Sequence, residues 1–177
     1  MASSSSAQVR DAELPRDLPS IERLWLEYLS WGNDEMEARH GFRLPVREAV
    51  DRDLTTIAKY EPPDGRLVLA GDGERAFGIG CLHRIGPDTG EIKRMYVEPE
   101  HRGVGAGKAI LVRLIDAATI AGYARIRLDS SDFMTTAHGL YRDLGFVETG
   151  PYVESEIPDE LKPHWVFMVR TLAGPET

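Results

Sequence analysis

Hydrophobic positions in the first third of the chain change from a strand-like to a helical spacing. Residues 8–14 alternate well enough to predict a first strand. Residues 45–60 predict a second helix, with Pro45 suited to its first turn, and EPPDG at 61–65 then breaks the chain. Between them lies a first helix whose apolar residues recur every three or four positions: Leu18, Ile21, Leu24, Trp25, Tyr28 and Leu29.

The later apolar runs predict strands that alternate with two more helices. Runs at 66–70 and 75–85 are joined by the turn signal GDG, which predicts a hairpin. A strand–helix–strand crossover produces a parallel pair, so the sheet is predicted to be mixed. The remaining predicted elements are a strand at 90–97, a helix that stops near Gly122, a strand at 124–130, a helix at 134–146, and strands at 146–150 and 164–172.

The composition is typical of a globular protein and limits the classes of molecule that it is expected to bind. The 177 residues are 42% hydrophobic and 28% charged, and they carry a formal charge of -8. This acidity argues against nucleic acid as the main partner. The single cysteine, Cys81, rules out an internal disulfide and is expected to be buried in a strand. No apolar stretch is long enough to span a membrane. We therefore predict a cytoplasmic protein with one α/β domain at 8–172, a disordered tail at 1–7 and a C-terminal tail at 173–177.

A glycine-rich stretch, EHRGVGAGKAI at 100–110, is the strongest local motif. It fails the Walker pattern, because Arg102 stands where the first glycine belongs and Ala109 follows Lys108. It also fails the dinucleotide fingerprint, whose last glycine would lie one residue further on. What remains is Arg-x-x-Gly-x-Gly at a strand–helix junction. Glycines at 105 and 107 let backbone N–H groups approach a pyrophosphate at the helix N-terminus, and Arg102 adds a planar cation. The alternative is a purely structural glycine turn.

Three consecutive motifs resemble the GCN5-related N-acetyltransferase (GNAT) superfamily, and in detail its small single-domain bacterial members. They are EIKRMYVEPEHRGVGAGKAI at 91–110, AGYARIRLDSS at 121–131 and AHGLYRDLGF at 137–146. The resemblance implies a mixed, mostly antiparallel sheet of six to seven strands, splayed between strands 4 and 5 and flanked by about four helices. It also implies acetyl-CoA as the cofactor and acetyl transfer to an amine.

The same resemblance implies where the cofactor binds. Backbone groups of Met95, Tyr96 and Val97 would run along the pantetheine arm like an added strand. Ser130, at the end of the fifth strand, would lie where the splayed sheet admits the cofactor. The pyrophosphate would lie on Arg102, Gly103, Val104, Gly105, Ala106, Gly107 and Lys108.

Two residues are candidates for proton transfer. Tyr141 stands where the family has a tyrosine that donates a proton to the departing thiolate, although a tyrosine beside Leu144 and Phe146 could also be a core aromatic. Glu91 is the candidate base, because an aliphatic amine must lose a proton before it attacks. Strand alternation places Glu91 with Lys93 and Met95, and Ile92 with Arg94 and Tyr96. The alternative is that Glu91 forms an ion pair on a solvated face.

The acceptor side is less sharply defined by the sequence. The family layout places it among the first helices and the last strands, and we expect His138 to be a solvated surface residue. The histidines show no metal-ligand spacing, so no metal is predicted. A small-molecule amine is the favoured acceptor; a protein lysine or N-terminus, or a coenzyme A-binding module without catalysis, stays open, as does a homodimer. The acceptor candidates are Tyr28, Trp31, Arg94, Tyr152 and His164.

Overall fold

The computed structural model describes residues 7–172, and within that range it contains four α-helices and seven strands. The predicted tails at 1–7 and 173–177 lie outside the described residues, apart from Ala7. That residues 8–172 form one domain stays a prediction, although one continuous sheet runs through them. No described helix is both long and apolar enough to cross a membrane. The elements are β1 (Gln8–Asp11), α1 (Leu18–His40), α2 (Val46–Thr55), β2 (Arg66–Gly71), β3 (Ala76–Gly86), β4 (Thr89–Val97), α3 (Ala106–Ile120), β5 (Arg125–Ser131), α4 (Thr135–Asp143), β6 (Val147–Thr149) and β7 (Trp165–Thr171).

The sheet has the strand order β1-β2-β3-β4-β5-β7-β6, and every neighbouring pair is antiparallel except β4 and β5. These two strands pair in parallel only from Thr89 to Glu91, opposite Arg125 to Arg127. Beyond Glu91 they separate, and the unpaired edge of β4 faces a wedge-shaped opening. The prediction of a mixed sheet splayed between strands 4 and 5 is therefore confirmed.

A bulge in β4 overturns the predicted alternation of its side chains. Ile79 pairs with Tyr96 and Cys81 with Lys93, so Gly80 stands opposite two residues, Arg94 and Met95. Arg94 has a φ of 55°, in the left-handed region that side chains rarely adopt. Because a bulge adds one residue, the faces exchange beyond it. Met95 therefore packs on the same face as Ile92, while Tyr96 lies on the opposite face.

The two faces of the sheet carry separate hydrophobic cores. One core lies against α3 and contains Ile110, Leu111 and Leu114. The other lies against α1 and α2 and is built around Trp25 and Tyr60, with Cys81 buried as predicted. Helix α3 thus covers the face of the sheet next to the glycine-rich loop, and α1 covers the opposite face near the wedge.

Helix α1 is longer than the apolar spacing predicts. The predicted stretch ends at Gly32, and the next residues, Asn33 and Asp34, are of types that favour helix ends, yet the helix continues to His40. Asn33 is buried and its amide both donates to and accepts from the backbone of Leu44 at 2.7 and 2.9 Å. The extension is stabilised by a tertiary contact that no local pattern signals. The second predicted helix ends early at Thr55 and continues as a 3-10 turn, Ile57–Tyr60.

The close approach at Gly80 predicts a stability effect. A Cβ there would lie 2.6 Å from both Ile110 Cγ2 and Met95 Sδ, so Gly80→Ala is expected to lower the free energy of unfolding by about 1–3 kcal/mol. Gly32→Ala, in open space on helix α1, is the control and should be neutral or stabilising by up to about 1 kcal/mol. Denaturant unfolding measures both; equal effects would contradict the close approach.

Candidate active site

The wedge between β4 and β5 opens into a cleft of about 470 Å³. Its floor is the end of β4, one wall is the loop that begins α3, and the other wall is the start of α4. Most of the predicted cofactor residues line this cleft: Met95, Tyr96, Val97, Arg102, Gly103, Gly105, Ala106, Gly107, Lys108 and Tyr141. The structure thus brings the loop and the candidate acid to one opening.

The glycine-rich loop presents a run of free backbone donors to the cleft. Within residues 7–172, no N–H group from Gly103 to Lys108 donates a backbone hydrogen bond, and the first such bond of α3 runs from Ala109 to Gly105. Gly103 and Gly105 have φ values of 80° and 88°, which glycine adopts without strain. No side chain caps the helix. Unpaired donors at a helix N-terminus form an anion site, so the loop fits a pyrophosphate.

Arg102, Trp31 and Tyr96 lie together at the edge of the anion site formed by the glycine-rich loop. The Nε of Arg102 donates to the carbonyl of Val97 at 2.8 Å, which fixes the guanidinium over the ring of Trp31, 5.0 Å from its centroid. Tyr96 lies beside it at 5.7 Å. Trp31, predicted on the acceptor side, therefore forms a wall of this cleft. Among residues 7–172, no hydrogen-bond partner engages the outer nitrogens of Arg102, so they are available to an anion.

Tyr141 lies in the cleft and also contributes to the core. The residue is buried and its ring packs 6.0 Å from that of Phe146. Burial and the nearby Tyr28 and Asp129 raise the pKa of its hydroxyl, so the group holds its proton at neutral pH. The position of Tyr141 is therefore compatible with both interpretations of the sequence, a core aromatic and a proton donor, because the residue is part of the core and also lines the cleft.

Two predicted cofactor residues do not line the cleft. Val104 is 70% exposed at the tip of the loop. Ser130 is buried between β5 and α4, where its Oγ lies 3.2 Å from His138 Nε2. The expectation that His138 is solvated is wrong, since it is buried, and burial lowers the pKa of its imidazole.

Glu91 is buried at the point where the strands separate. Only 1% of the residue is exposed, so a solvated ion pair is excluded. Oε1 accepts a hydrogen bond from Tyr152 at 2.7 Å and Oε2 accepts one from His83 at 2.8 Å. Burial alone would raise the pKa of Glu91, but His83, Lys93 and Tyr152 outweigh it and hold the pKa below its usual value. Glu91 is thus an ionised carboxylate with both oxygens engaged.

Sequence reasoning missed Asp129, which lies across the wedge from Glu91. The hydroxyl of Tyr152 is 3.2 Å from Asp129 Oδ2, so one tyrosine connects both carboxylates and both strands. Ser155 and Trp165 also donate to Asp129 at 3.1 and 3.2 Å. Burial and the charge of Glu91 raise the pKa of Asp129. A charged residue in LDSS at a strand end was the available signal, but its partners come from distant segments.

The other acceptor candidates are distributed unevenly around the wedge. Tyr28 packs 5.7 Å from Tyr96. Arg94 forms an ion pair with Asp53 of α2 at 2.6 Å, so its charge is already compensated. His164 does not line the cleft; it stacks on His40, with ring centroids 3.7 Å apart and planes 22° apart.

This histidine pair lies beside Asp132, and the three ligand atoms lie within 4.8 Å of one another. The spacing of the histidines along the sequence does not predict this cluster, because the fold assembles it from three distant segments. However, the lone pairs of stacked imidazoles run side by side and do not converge on one ion. We assign no metal to this cluster.

Comparisons with known proteins agree with this geometry. The sequence model of the acetyltransferase (GNAT) family matches residues 21–146. An uncharacterized N-acetyltransferase of Schizosaccharomyces pombe is 32% identical over 162 residues, covering 90% of this chain and 94% of the relative. An acetyltransferase structure from Streptococcus agalactiae aligns with a TM-score of 0.72 at 21% identity, covering 94% of this chain and 99% of that one. The PaiA N-acetyltransferase of Thermoplasma acidophilum, solved with coenzyme A, aligns at 0.70 and 16% identity over 94% and 99%.

A splayed sheet with a pyrophosphate loop at its wedge defines a class of enzymes that transfer acyl groups from coenzyme A. The chain belongs to the acetyltransferase (GNAT) family, and it is an acetyl-CoA-dependent acyltransferase.

A substitution at Arg102 tests whether the glycine-rich loop binds acetyl-CoA. Arg102→Gln removes a planar cation from the loop and is expected to raise the dissociation constant for acetyl-CoA about ten- to a hundredfold, the worth of one charge-assisted hydrogen bond. Isothermal titration calorimetry measures this, with Arg16→Gln, in an exposed pair with Glu13, as the control. Unchanged affinity in Arg102→Gln would show that the anion binds elsewhere.

Proposed function

We propose that the enzyme acetylates a primary amine of a small molecule, such as an amino acid, a polyamine or an amine-bearing antibiotic, by direct attack in a ternary complex. Acetyl-CoA supplies the activated acetyl group as a thioester. The loop from Arg102 to Lys108 would bind its pyrophosphate, and the unpaired edge of β4 from Met95 to Val97 would pair with the pantetheine amides. The acetyl end would then lie deeper in the wedge, toward Tyr141.

One observation carries the preference for a small acceptor. The segment 150–164 lies across the wedge on the side of α1, and its Tyr152 is buried while contacting both β4 and β5. Leu161 of the same segment is also buried, and Glu156 pairs with Lys93. Residues of the chain itself therefore occupy the place where an extended peptide would lie. A small amine needs only the space beside Tyr141, which lines the cleft.

Tyr141 is proposed as the acid that protonates the departing sulfur. Its raised pKa keeps the proton available, and a thiol is a good leaving group that needs little more than one hydrogen bond. The sequence predicts Glu91 as the base, but Glu91 is buried at the wedge and both its oxygens already accept hydrogen bonds from Tyr152 and His83. That the enzyme forms a homodimer also stays a prediction.

The reaction itself is tested by release of thiol from acetyl-CoA. We expect amine-dependent release with at least one of putrescine, spermidine, L-lysine and kanamycin, at rates above those with a lysine-containing peptide. Release with the peptide alone would favour a protein acceptor. Binding of acetyl-CoA with no amine-dependent release from any of these would favour a binding module.

Tyr141→Phe tests the acid. Turnover should fall about 10²–10⁴-fold, the range of a single general acid, with the acetyl-CoA dissociation constant unchanged. Tyr123→Phe is the matched control, because Tyr123 is equally buried but its hydroxyl donates to the carbonyl of Asp64 far from the cleft. Normal turnover in Tyr141→Phe would leave that residue a purely structural role.

A further inference from the structure

The two carboxylates at the wedge differ in what they can do with a proton. Glu91 and Asp129 come from different strands, and both contact the hydroxyl of Tyr152, at 2.7 and 3.2 Å. This hydroxyl has one hydrogen, and the shorter contact indicates that Glu91 receives it. The longer contact then becomes a full hydrogen bond only when Asp129 is protonated and donates to the tyrosine oxygen.

We infer that Asp129, and not Glu91, is the catalytic base that takes the proton from the acceptor ammonium, and that Glu91 with Tyr152 is its positioning pair. This inference rests on the proposed function and assigns a residue to the amine side of the same site. The inference is based on the contacts that link Asp129, Tyr152 and Glu91. When Asp129 is protonated, it can donate a hydrogen bond to the hydroxyl oxygen of Tyr152.

Position supports Asp129 in this role. It lies two residues beyond Arg127, the last residue of β5 that pairs with β4, so its side chain belongs to the open part of the wedge. It is half-buried, whereas only 1% of Glu91 is exposed. The charge of Asp129 also contributes to raising the pKa of Tyr28 on α1 and of Tyr141 on α4. An amine between these two hydroxyls and Asp129 would face both the base and the acid.

The electrostatic environment also favours Asp129 over Glu91 as the group that takes up a proton. Two carboxylates close together cannot both ionise easily, and Lys93 Nζ lies 3.8 Å from Glu91 Oε2, which favours the ionised form of Glu91. Glu91 is held ionised by His83 and Tyr152 and raises the pKa of Asp129, while Lys93 partly offsets this rise. The charged and titratable groups around Asp129 are Glu91 and Lys93 on β4, Tyr152 on segment 150–164, Tyr28 on α1 and Tyr141 on α4; Ser155 and Trp165 donate neutral hydrogen bonds.

The proposed reaction balances in protons and bonds. The ammonium R–NH₃⁺ gives one proton to Asp129 and becomes a neutral amine. Its nitrogen forms a bond to the acetyl carbonyl carbon, and the carbon–sulfur bond breaks. Tyr141 gives its proton to the departing sulfur and recovers one from the nitrogen. Asp129 then releases its proton to water, so the products are the N-acetylated amine, free coenzyme A and H⁺.

The decisive experiment compares pH profiles of kcat/KM for two isosteric variants, using the best amine from the panel and a second accepted amine of different pKa. Asp129→Asn should lower kcat/KM about 10²–10⁴-fold and abolish the acidic limb, whose position does not follow the pKa of the amine. Glu91→Gln should keep the limb but move it to lower pH, because a negative charge beside Asp129 has been removed. Tyr152→Phe should also move it to lower pH, because protonated Asp129 loses the oxygen that accepts its hydrogen bond.

Folding is controlled separately. Acetyl-CoA affinity should be unchanged in Asp129→Asn, since Asp129 does not line the cofactor cleft, and Asp129→Glu should restore part of the activity. Asp116→Asn, a carboxylate on α3, is the matched control and should retain the wild-type profile. If Glu91→Gln abolishes the limb while Asp129→Asn only shifts it, or if neither changes it, the inference is overturned.

A direct titration separates this inference from the proposed function. Carboxyl ¹³C NMR of the protein with no amine present should show Asp129 titrating above the usual aspartate range near 3.9 and moving down in Glu91→Gln. A titration at or below that range overturns the inference, even if thiol release with amines is robust. Absence of thiol release with every amine would instead contradict the proposed function, and the titration of Asp129 would still be decided.

Discussion

The divergence of β4 from β5 after Glu91 is the constraint on which the site depends. Up to that residue the two strands share hydrogen bonds as an ordinary parallel pair; beyond it β4 has an unpaired edge. Backbone donors and acceptors at such an edge need partners, and an extended ligand can supply them. The same divergence sets the end of β4, the start of α3 and the start of α4 around one opening. The proposed sites for the cofactor and for catalysis thus both depend on the end of this strand pairing.

The bulge at Arg94 and Met95 determines which side chains of β4 lie on each face of the sheet. Met95 packs in the core between the sheet and α3, and Arg94 pairs with Asp53 on α2. Without the extra residue, strand alternation would place Tyr96 behind the sheet, away from Trp31. The aromatic rim beside Arg102 therefore depends on one irregular residue in β4. Tyr152 of segment 150–164 then connects β4 and β5 through Glu91 and Asp129.

Local signals in the sequence predict the glycine-rich loop and the helix that follows it. The glycine spacing, the helix and Arg102 lie within a few residues of one another, so the loop can be located from the sequence alone. The bulge could not be predicted, because alternation assumes one residue per position and nothing in IKRMYV marks the insertion. The Glu91–Tyr152–Asp129 network was also out of reach. Its members are separated by up to 61 residues, and only the fold brings them together. The continuation of α1 beyond Gly32 likewise depends on Asn33 contacting a later loop.

We propose that acetyl-CoA binds in the wedge between β4 and β5, with its pyrophosphate on the backbone of the loop. Amide ¹H–¹⁵N NMR during titration with coenzyme A can locate the site, because each N–H reports its own contact. The largest shifts are expected at the amides from Gly103 to Lys108, followed by those of Met95 to Val97. Shifts confined to other parts of the protein, or none at saturating coenzyme A, would contradict it.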